Sequence, residues 1–212
     1  ILICAIALFT SRFWLEQAAQ PKISPVRRGL RSHVLFVTIL IFLQLILGAT
    51  MRHQHAGLSI SDFPLAHGKI WPDTDAAAIA RYNAERMEIT NVNPITAFQV
   101  ILQMVHRIVA LFIFLGVAAA AGIAMKRLGK RDPLTKLAFF WLALIFVQIG
   151  LGIETIWSNK AADIATAHVL VGALSLVTGV LWYIIAFGRS PATAAAEAPT
   201  AIGAQPAMAG SK

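Results

Sequence analysis

The 212 residues are 58% hydrophobic and only 13% charged, with a mean hydropathy of +0.70, a composition that excludes an ordinary water-soluble domain and makes lipid the solvent. The formal charge of +8 raises nucleic acid as a partner, but in so apolar a chain basic residues report membrane orientation, and their placement reads as topology. A single cysteine, Cys4, excludes an internal disulfide and any multi-thiolate zinc or iron–sulfur site within these residues.

In chain order, Ile1 to Trp14 is apolar from its first residue, lacks an initiator Met and is shorter than a span. It reads as the end of a truncated transmembrane helix (residues 1–18), so the chain is expected to be a fragment. A signal peptide would open on a basic segment and close on a small-residue cleavage site, and neither is visible. Residues 19–32 form a connector carrying Lys22, Arg27, Arg28 and Arg31. Four apolar runs follow, His33–Thr50, Ile95–Met125, Leu134–Trp157 and Ala161–Phe187, each reaching the roughly 18–20 residues of a membrane span. Lys126, Arg127, Lys130, Arg131 and Lys136 fill the connection between the second and third. Both basic flanks belong on the cytoplasmic side of a bacterial-type plasma membrane or its equivalent. The long segment 51–94 balances Asp62, Asp73, Asp75, Glu85 and Glu88 against Arg52, Lys69, Arg81 and Arg86, and belongs outside. The Ala/Pro-rich tail, residues 188–212, is then cytoplasmic and is expected to be disordered. The predicted fold is all-α: a polytopic, antiparallel four-helix transmembrane bundle over residues 33–187, preceded by a partial helix.

The four helices read as two similar hairpins. Leu43-Gln44-Leu45-Ile46-Leu47-Gly48 echoes Val147-Gln148-Ile149-Gly150-Leu151-Gly152, so that Gln44 and Gly48 match Gln148 and Gly152. Each motif ends an outward-running helix, and the next helix carries a histidine in its outer half: His106 in one, His168 in the other. The repeat predicts pseudo-two-fold symmetry. Read as packing alone, the glycines allow close helix contact and the glutamines make interhelical hydrogen bonds.

An imidazole in lipid is costly unless bonded or coordinated, and two at similar depth on related helices point to a shared ligand. Zinc wants three or four protein ligands, and no third intramembrane His, Cys or Asp is near. Haem iron needs only one or two axial ligands, because the porphyrin supplies the rest. Gly116, Gly150, Gly152 and Gly172 give room for a flat macrocycle or, equally, for helix packing. Arg107 keeps its charge and must either snorkel or pair with an anion such as a haem propionate, which Arg52 also reaches if the propionates face outward.

The loop reads Met51-Arg52-His53-Gln54-His55-Ala56-Gly57-Leu58-Ser59-Ile60-Ser61-Asp62-Phe63-Pro64-Leu65-Ala66-His67-Gly68-Lys69-Ile70-Trp71-Pro72. Together with the two Gln-x-x-x-Gly ends, His106-Arg107 and His168, it resembles the haem A synthase family over about residues 1–187. That resemblance implies two homologous four-helix halves, with this chain as the second, C-terminal half. It also implies that the whole protein is an oxidoreductase converting its substrate haem O into haem A for cytochrome oxidase assembly. The family's second-half ligands to the iron of haem b map onto His106 and His168, with Arg107 and Arg52 as further candidates for holding the cofactor. Implied partners are the lipid bilayer, the N-terminal half of the same protein, haem O synthase and cytochrome oxidase, with no nucleic acid. No catalytic residue is assigned. Where the family's first half has a glutamate three residues before its own His-Arg pair, this chain has Gln103, which cannot act as an acid or base, so electron transfer or stability is the expected role here. The alternatives are a b-type haem electron carrier without substrate chemistry and a cofactor-free assembly scaffold.

His53, His55 and His67 are expected to be solvated or hydrogen-bonded residues rather than copper ligands. Gly57, Pro64, Gly68 and Pro72 suggest fixed turns, with Leu58, Phe63, Leu65, Ile70 and Trp71 forming a lid over the haem edge. Glu154 is expected to be solvated at the interface.

Overall fold

The computed structural model describes residues 1–19, 26–85 and 93–189. Lys22 of the connector, Arg86 and Glu88 of the loop, and the tail beyond Arg189 lie outside the described residues. The described helices are α1 (Leu2–Phe9), α2 (Arg12–Ala19), α3 (Arg28–His53), α4 (Ala76–Glu85), α5 (Ala97–Leu128), α6 (Pro133–Trp157) and α7 (Ala162–Gly188). Four of them, α3, α5, α6 and α7, are long and apolar enough to cross a membrane. The protein is an all-α, polytopic membrane protein.

Each long helix packs on two neighbours in the ring α3, α5, α6, α7 and back to α3, and every neighbouring pair is antiparallel. Local chemistry sets the helix starts. Thr96 and Gln99 form a reciprocal capping box at α5, and Asp132 caps α6, whose first residue is Pro133; both devices satisfy amides that the first turn leaves without partners. α3 begins at Arg28, five residues before the apolar run at His33, because its buried stripe of Leu30, Val34, Val37, Thr38 and Ile41 extends back into the basic flank. Arg31 lies beside α7, its guanidinium 5.6 Å from the centre of the Phe187 ring. The N-terminal stretch is two short helices that meet at Thr10–Ser11, and Leu8 and Trp14 pack against the bundle core.

The bundle has two unlike halves. At the basic end Val34, Val37 and Ile41 of α3, Ile113, Val117, Ala120 and Ala124 of α5, Leu134, Trp141 and Ile145 of α6 and Trp182 of α7 form one buried cluster. Asp132 ties this end shut: it accepts from Arg189 at 2.7 and 2.9 Å and from the amide of Leu134 at 2.8 Å. The carbonyl of Arg189 in turn accepts from the amide of Val26 at 2.8 Å. Toward the loop end the pattern changes: α3 has no buried residue after Ile41, α6 none after Ile145 and α7 none before Gly172. The helix positions that line this half remain partly accessible.

The segment between α3 and α5 is a small folded cap rather than a string of turns. Ile60, Ala66, Ala78 and Tyr82 form its core and close on Val100 and Met104 of α5. Asp75 accepts from the amides of Ala77 and Ala78 and so caps α4, a helix legible in hindsight from an aspartate ahead of an alanine-rich run. The lid residues expected from sequence do not build this core. Phe63, Leu65, Ile70 and Trp71 are exposed, Ile70 at 87%. A two-residue turn at His67 and Gly68, both with positive φ, reverses the chain between Ala66 and Lys69, and Ile70 and Trp71 follow on the far side of that reversal.

Candidate functional site

The two Gln-x-x-x-Gly motifs meet the two histidines. In the first hairpin the Gln44 amide donates to the backbone carbonyl of His106 at 2.9 Å, and a Cβ placed on Gly48 would sit 3.6 Å from Cε1 of the His106 ring. In the second, Nε2 of Gln148 lies 3.4 Å from Nε2 of His168, and a Cβ on Gly152 would approach Cε1 of that ring to 3.2 Å. Each imidazole therefore lies against a glycine of the preceding helix, one turn beyond a glutamine. The expected repeat is present as contacts and not only as letters.

Depth matches as well. His106 lies 22 residues before Leu128, the last residue of α5, and His168 lies 20 before Gly188, the last of α7; at about 1.5 Å per residue the two levels differ by about 3 Å. Both histidines sit in the half of the bundle that lacks a closed apolar core.

Four buried polar atoms at this level have no hydrogen-bond partner among the described residues: Nδ1 of His106, Nδ1 of His168, Oε1 of Gln44 and Oε1 of Gln148. Each hairpin supplies one of each kind. Such groups are costly in a low-dielectric interior, and an imidazole with an unpaired nitrogen is chemically a metal ligand in waiting. Among the described residues no group of three or more His, Cys, Asp or Glu side chains gathers to hold a metal ion. Two neutral imidazoles fit the axial demand of haem iron, which brings its own equatorial nitrogens, so the donor set here fits haem.

The remaining predicted residues fall into two groups. Arg107 is engaged with the cap: it donates to the carbonyl of Leu65 at 2.9 Å and of Asp62 at 2.8 Å, and its guanidinium lies 5.7 Å from the centre of the Phe63 ring. This is the snorkelling alternative, with loop carbonyls as acceptors. Arg52 is exposed in the last turn of α3, and its side chain makes no hydrogen bond or ion pair among the described residues. Of the glycines, Gly116 packs on Val37 and Gly172 on Leu45 and Gln148, whereas Gly150 has nothing within 4 Å. Glu154 is exposed at the loop end of α6.

Two residues turn out to do more than their sequence context indicates. Gln103 is buried and clamps the cap: its Oε1 accepts from the amide of Ile60 and the hydroxyl of Ser59, each at 2.8 Å, and its Nε2 donates to the carbonyls of Ile60 at 3.2 Å and Gly57 at 3.4 Å. Its position three residues before His106 is the only signal in the sequence, and that signal points to absent acid–base chemistry, not to an anchor. His67 stacks on Tyr82 with ring centres 3.5 Å apart and bonds the carbonyl of Ser59 at 3.0 Å through Nε2. Asp62 accepts from the amides of His67 and Gly68 at 2.7 and 2.8 Å. Burial alone would raise the pKa of Asp62, but these amides outweigh it and hold the carboxyl below its ordinary value.

The chain is similar to the Heme A synthase of Caulobacter sp. (strain K31), 28% identical over 179 residues that cover 82% of this chain and 48% of the relative. It is similar to that of Agrobacterium fabrum, 28% identical over 92% of this chain and 51% of the relative. The Heme A synthase COX15 of Homo sapiens is 32% identical over 72% of this chain and 34% of its own length. The chain thus spans about half or less of these relatives. The sequence model described as cytochrome oxidase assembly protein matches residues 1–180, so the chain belongs to that family, COX15-CtaA.

Proposed function

We propose that this chain is the b-haem-binding half of a membrane oxidoreductase that converts haem O into haem A for cytochrome oxidase assembly. The observation that carries this reading is the set of four unpaired buried polar atoms on Gln44, Gln148, His106 and His168, at one level of the bundle, in the half without a sealed core. A scaffold that needs only packing would fill this level as the basic end is filled, with Trp141 and Trp182.

In this reading His106 and His168 would hold the haem, and Gly48 and Gly152 set the space in which the two rings lie. Haem held by two imidazoles would supply single-electron transfer. Gln103 is committed to four hydrogen bonds with the cap and is not a proton-transfer group, so oxidation of the substrate methyl group belongs to the N-terminal half of the whole protein. Arg107 holds the cap over the ligand level and Arg52 is the cation placed to meet a propionate. The cap faces outside, because the basic flanks at residues 27–31 and 126–136 face the cytoplasm.

The test uses the full chain, purified with haem supplied. A reduced-minus-oxidised spectrum of low-spin b type is expected, and it should be lost in His106→Ala and in His168→Ala. Retention of the wild-type spectrum by both variants overturns the ligand assignment. Haem A formation from haem O and a reductant, followed by chromatography, is expected from the full-length parent and not from this chain. Turnover by this chain at the parent's rate overturns the division of labour.

A further inference from the structure

The two hairpins repeat in sequence, yet their glutamines reach different atoms. Gln44 donates to the backbone carbonyl of His106 at 2.9 Å, while Gln148 faces the imidazole of His168 itself, Nε2 to Nε2 at 3.4 Å. The residue four after each histidine, on the same helix face, accounts for the difference. In α7 it is Gly172, and a Cβ there would come within 3.1 Å of Nε2 of Gln148; in α5 it is Ala110. Glycine leaves room for the glutamine amide beside the helix in one hairpin, where the other hairpin carries an alanine at the matching position.

We infer that Gln148, given access by Gly172, is the residue that orients the His168 imidazole as an axial ligand and accepts its N–H, and that His106 has no such partner. This rests on the haem reading above. When one imidazole nitrogen takes a metal, the other carries a proton and needs an acceptor; such partners fix the ring's tautomer and orientation and raise its basicity. Oε1 of Gln148 is buried and unpaired, and the amide already faces the ring. Rotation about its terminal torsion exchanges donor for acceptor there. The amide nitrogen of Gln44 is instead engaged by the backbone carbonyl of His106, a bond that holds the amide on the α5 backbone rather than facing the ring. The two ligands are therefore unequal: His168 is the more basic and the more rigidly aimed.

Three readouts on the haem-loaded full chain test this: midpoint potential, low-spin electron paramagnetic resonance, and the rate of haem transfer to apomyoglobin. Gln148→Leu should raise the midpoint potential, because the oxidised iron loses a ligand polarised toward imidazolate, and should release haem about tenfold faster. Gln148→Glu keeps the shape and strengthens the acceptor, so its potential should move the opposite way. Gly172→Ala should reproduce the sign seen with Gln148→Leu, and Gln44→Leu should shift the potential clearly less than Gln148→Leu does. Opposite signs for the Leu and Glu variants are the result that a merely structural role does not give. If both Gln148 variants hold the wild-type potential and release rate, or if Gln44→Leu shifts the potential as far as Gln148→Leu, the inference is overturned while the haem reading stands. Absence of a b-type spectrum in the wild-type chain overturns both.

Discussion

Replacing Gln103 by leucine should unlatch the cap without unfolding the bundle. The substitution removes two short hydrogen bonds, from the amide of Ile60 and the hydroxyl of Ser59, both 2.8 Å, and two longer ones to the carbonyls of Ile60 and Gly57. The Ser59 hydroxyl retains the carbonyls of Ala56 and Gln99 as acceptors, so the main casualty is the amide of Ile60, a residue with 0% exposure. Two short bonds at about 1 kcal/mol each, and about 1–3 kcal/mol for a buried donor left unpaired, give a local cost of about 3–5 kcal/mol. That raises the opening equilibrium of the cap by at least about a hundredfold. Hydrogen exchange in detergent should report it as faster exchange in peptides spanning 57–66, with peptides from residues 113–124 unchanged. Gln103→Glu keeps the acceptor, loses both donors and turns a negative oxygen toward two carbonyls, so it should fall between leucine and wild type at neutral pH. Exchange at 57–66 within about threefold of wild type in Gln103→Leu would refute the latch.

Acid should loosen the same cap: the Asp62 pKa is held below the usual 3.8, so its contribution is present above that value and lost as pH falls through the lower, folded one, and exchange around His67 and Gly68 should rise only below about pH 4. Arg107→Ala removes two charge-assisted bonds to the carbonyls of Asp62 and Leu65; a local loss of about 2 kcal/mol is expected, seen as exchange that rises more in peptides at 62–66 than in those at 57–60. Asp132→Ala leaves Arg189, whose side chain is 6% exposed, without its carboxylate, and the melting temperature should fall by the equivalent of about 3–5 kcal/mol. Gly179→Ala puts a methyl group 2.5 Å from Oγ1 of Thr38 and 2.8 Å from Cζ2 of Trp141, so overpacking of about 1–3 kcal/mol is expected in thermal unfolding, with the haem spectrum unchanged.

The bundle was legible because its signals are long. Spans of about eighteen or more mostly apolar residues overwhelm local ambiguity, and the predicted boundaries fall within five residues of those observed. The histidine pair was legible for a related reason, since a polar ring inside an apolar run stands out. The cap was not legible. Its fold rests on short-range polar geometry, such as the amide contacts of Asp62 and the stack of His67 on Tyr82, and hydrophobicity marked Phe63, Ile70 and Trp71 in place of Ile60, Ala78 and Tyr82. Gln103 has a role in the cap that its sequence context did not show. Measured against a glutamate it is a lost acid, but an amide offers two donors and an acceptor where a carboxylate offers acceptors alone, and the cap presents it with both kinds of partner.

α5 is where the parts of this protein meet. Gln103, His106 and Arg107 lie within four residues, little more than one helical turn, and the outer two hold the cap while the middle one carries the candidate ligand. Because 103 and 107 are four apart they share a face, about 40° from one another round the helix, and 106, turned about 60° from 103 and about 100° from 107, is joined to both through the rigid helical backbone. Nothing soft separates the clamp from the ring. Gln44 adds a third restraint by bonding the carbonyl of His106 from α3, so this single turn is fixed from the cap on one side and the next helix on the other. His168 has no comparable clamp on its own helix; its ring is met by Gln148 and Gly152 from α6. One candidate ligand is therefore positioned through its backbone and the other through its side chain. Two sequence-similar hairpins thereby become two different kinds of holder, and it is the departures from the repeat, at Gln103 and at Gly172, that make them so.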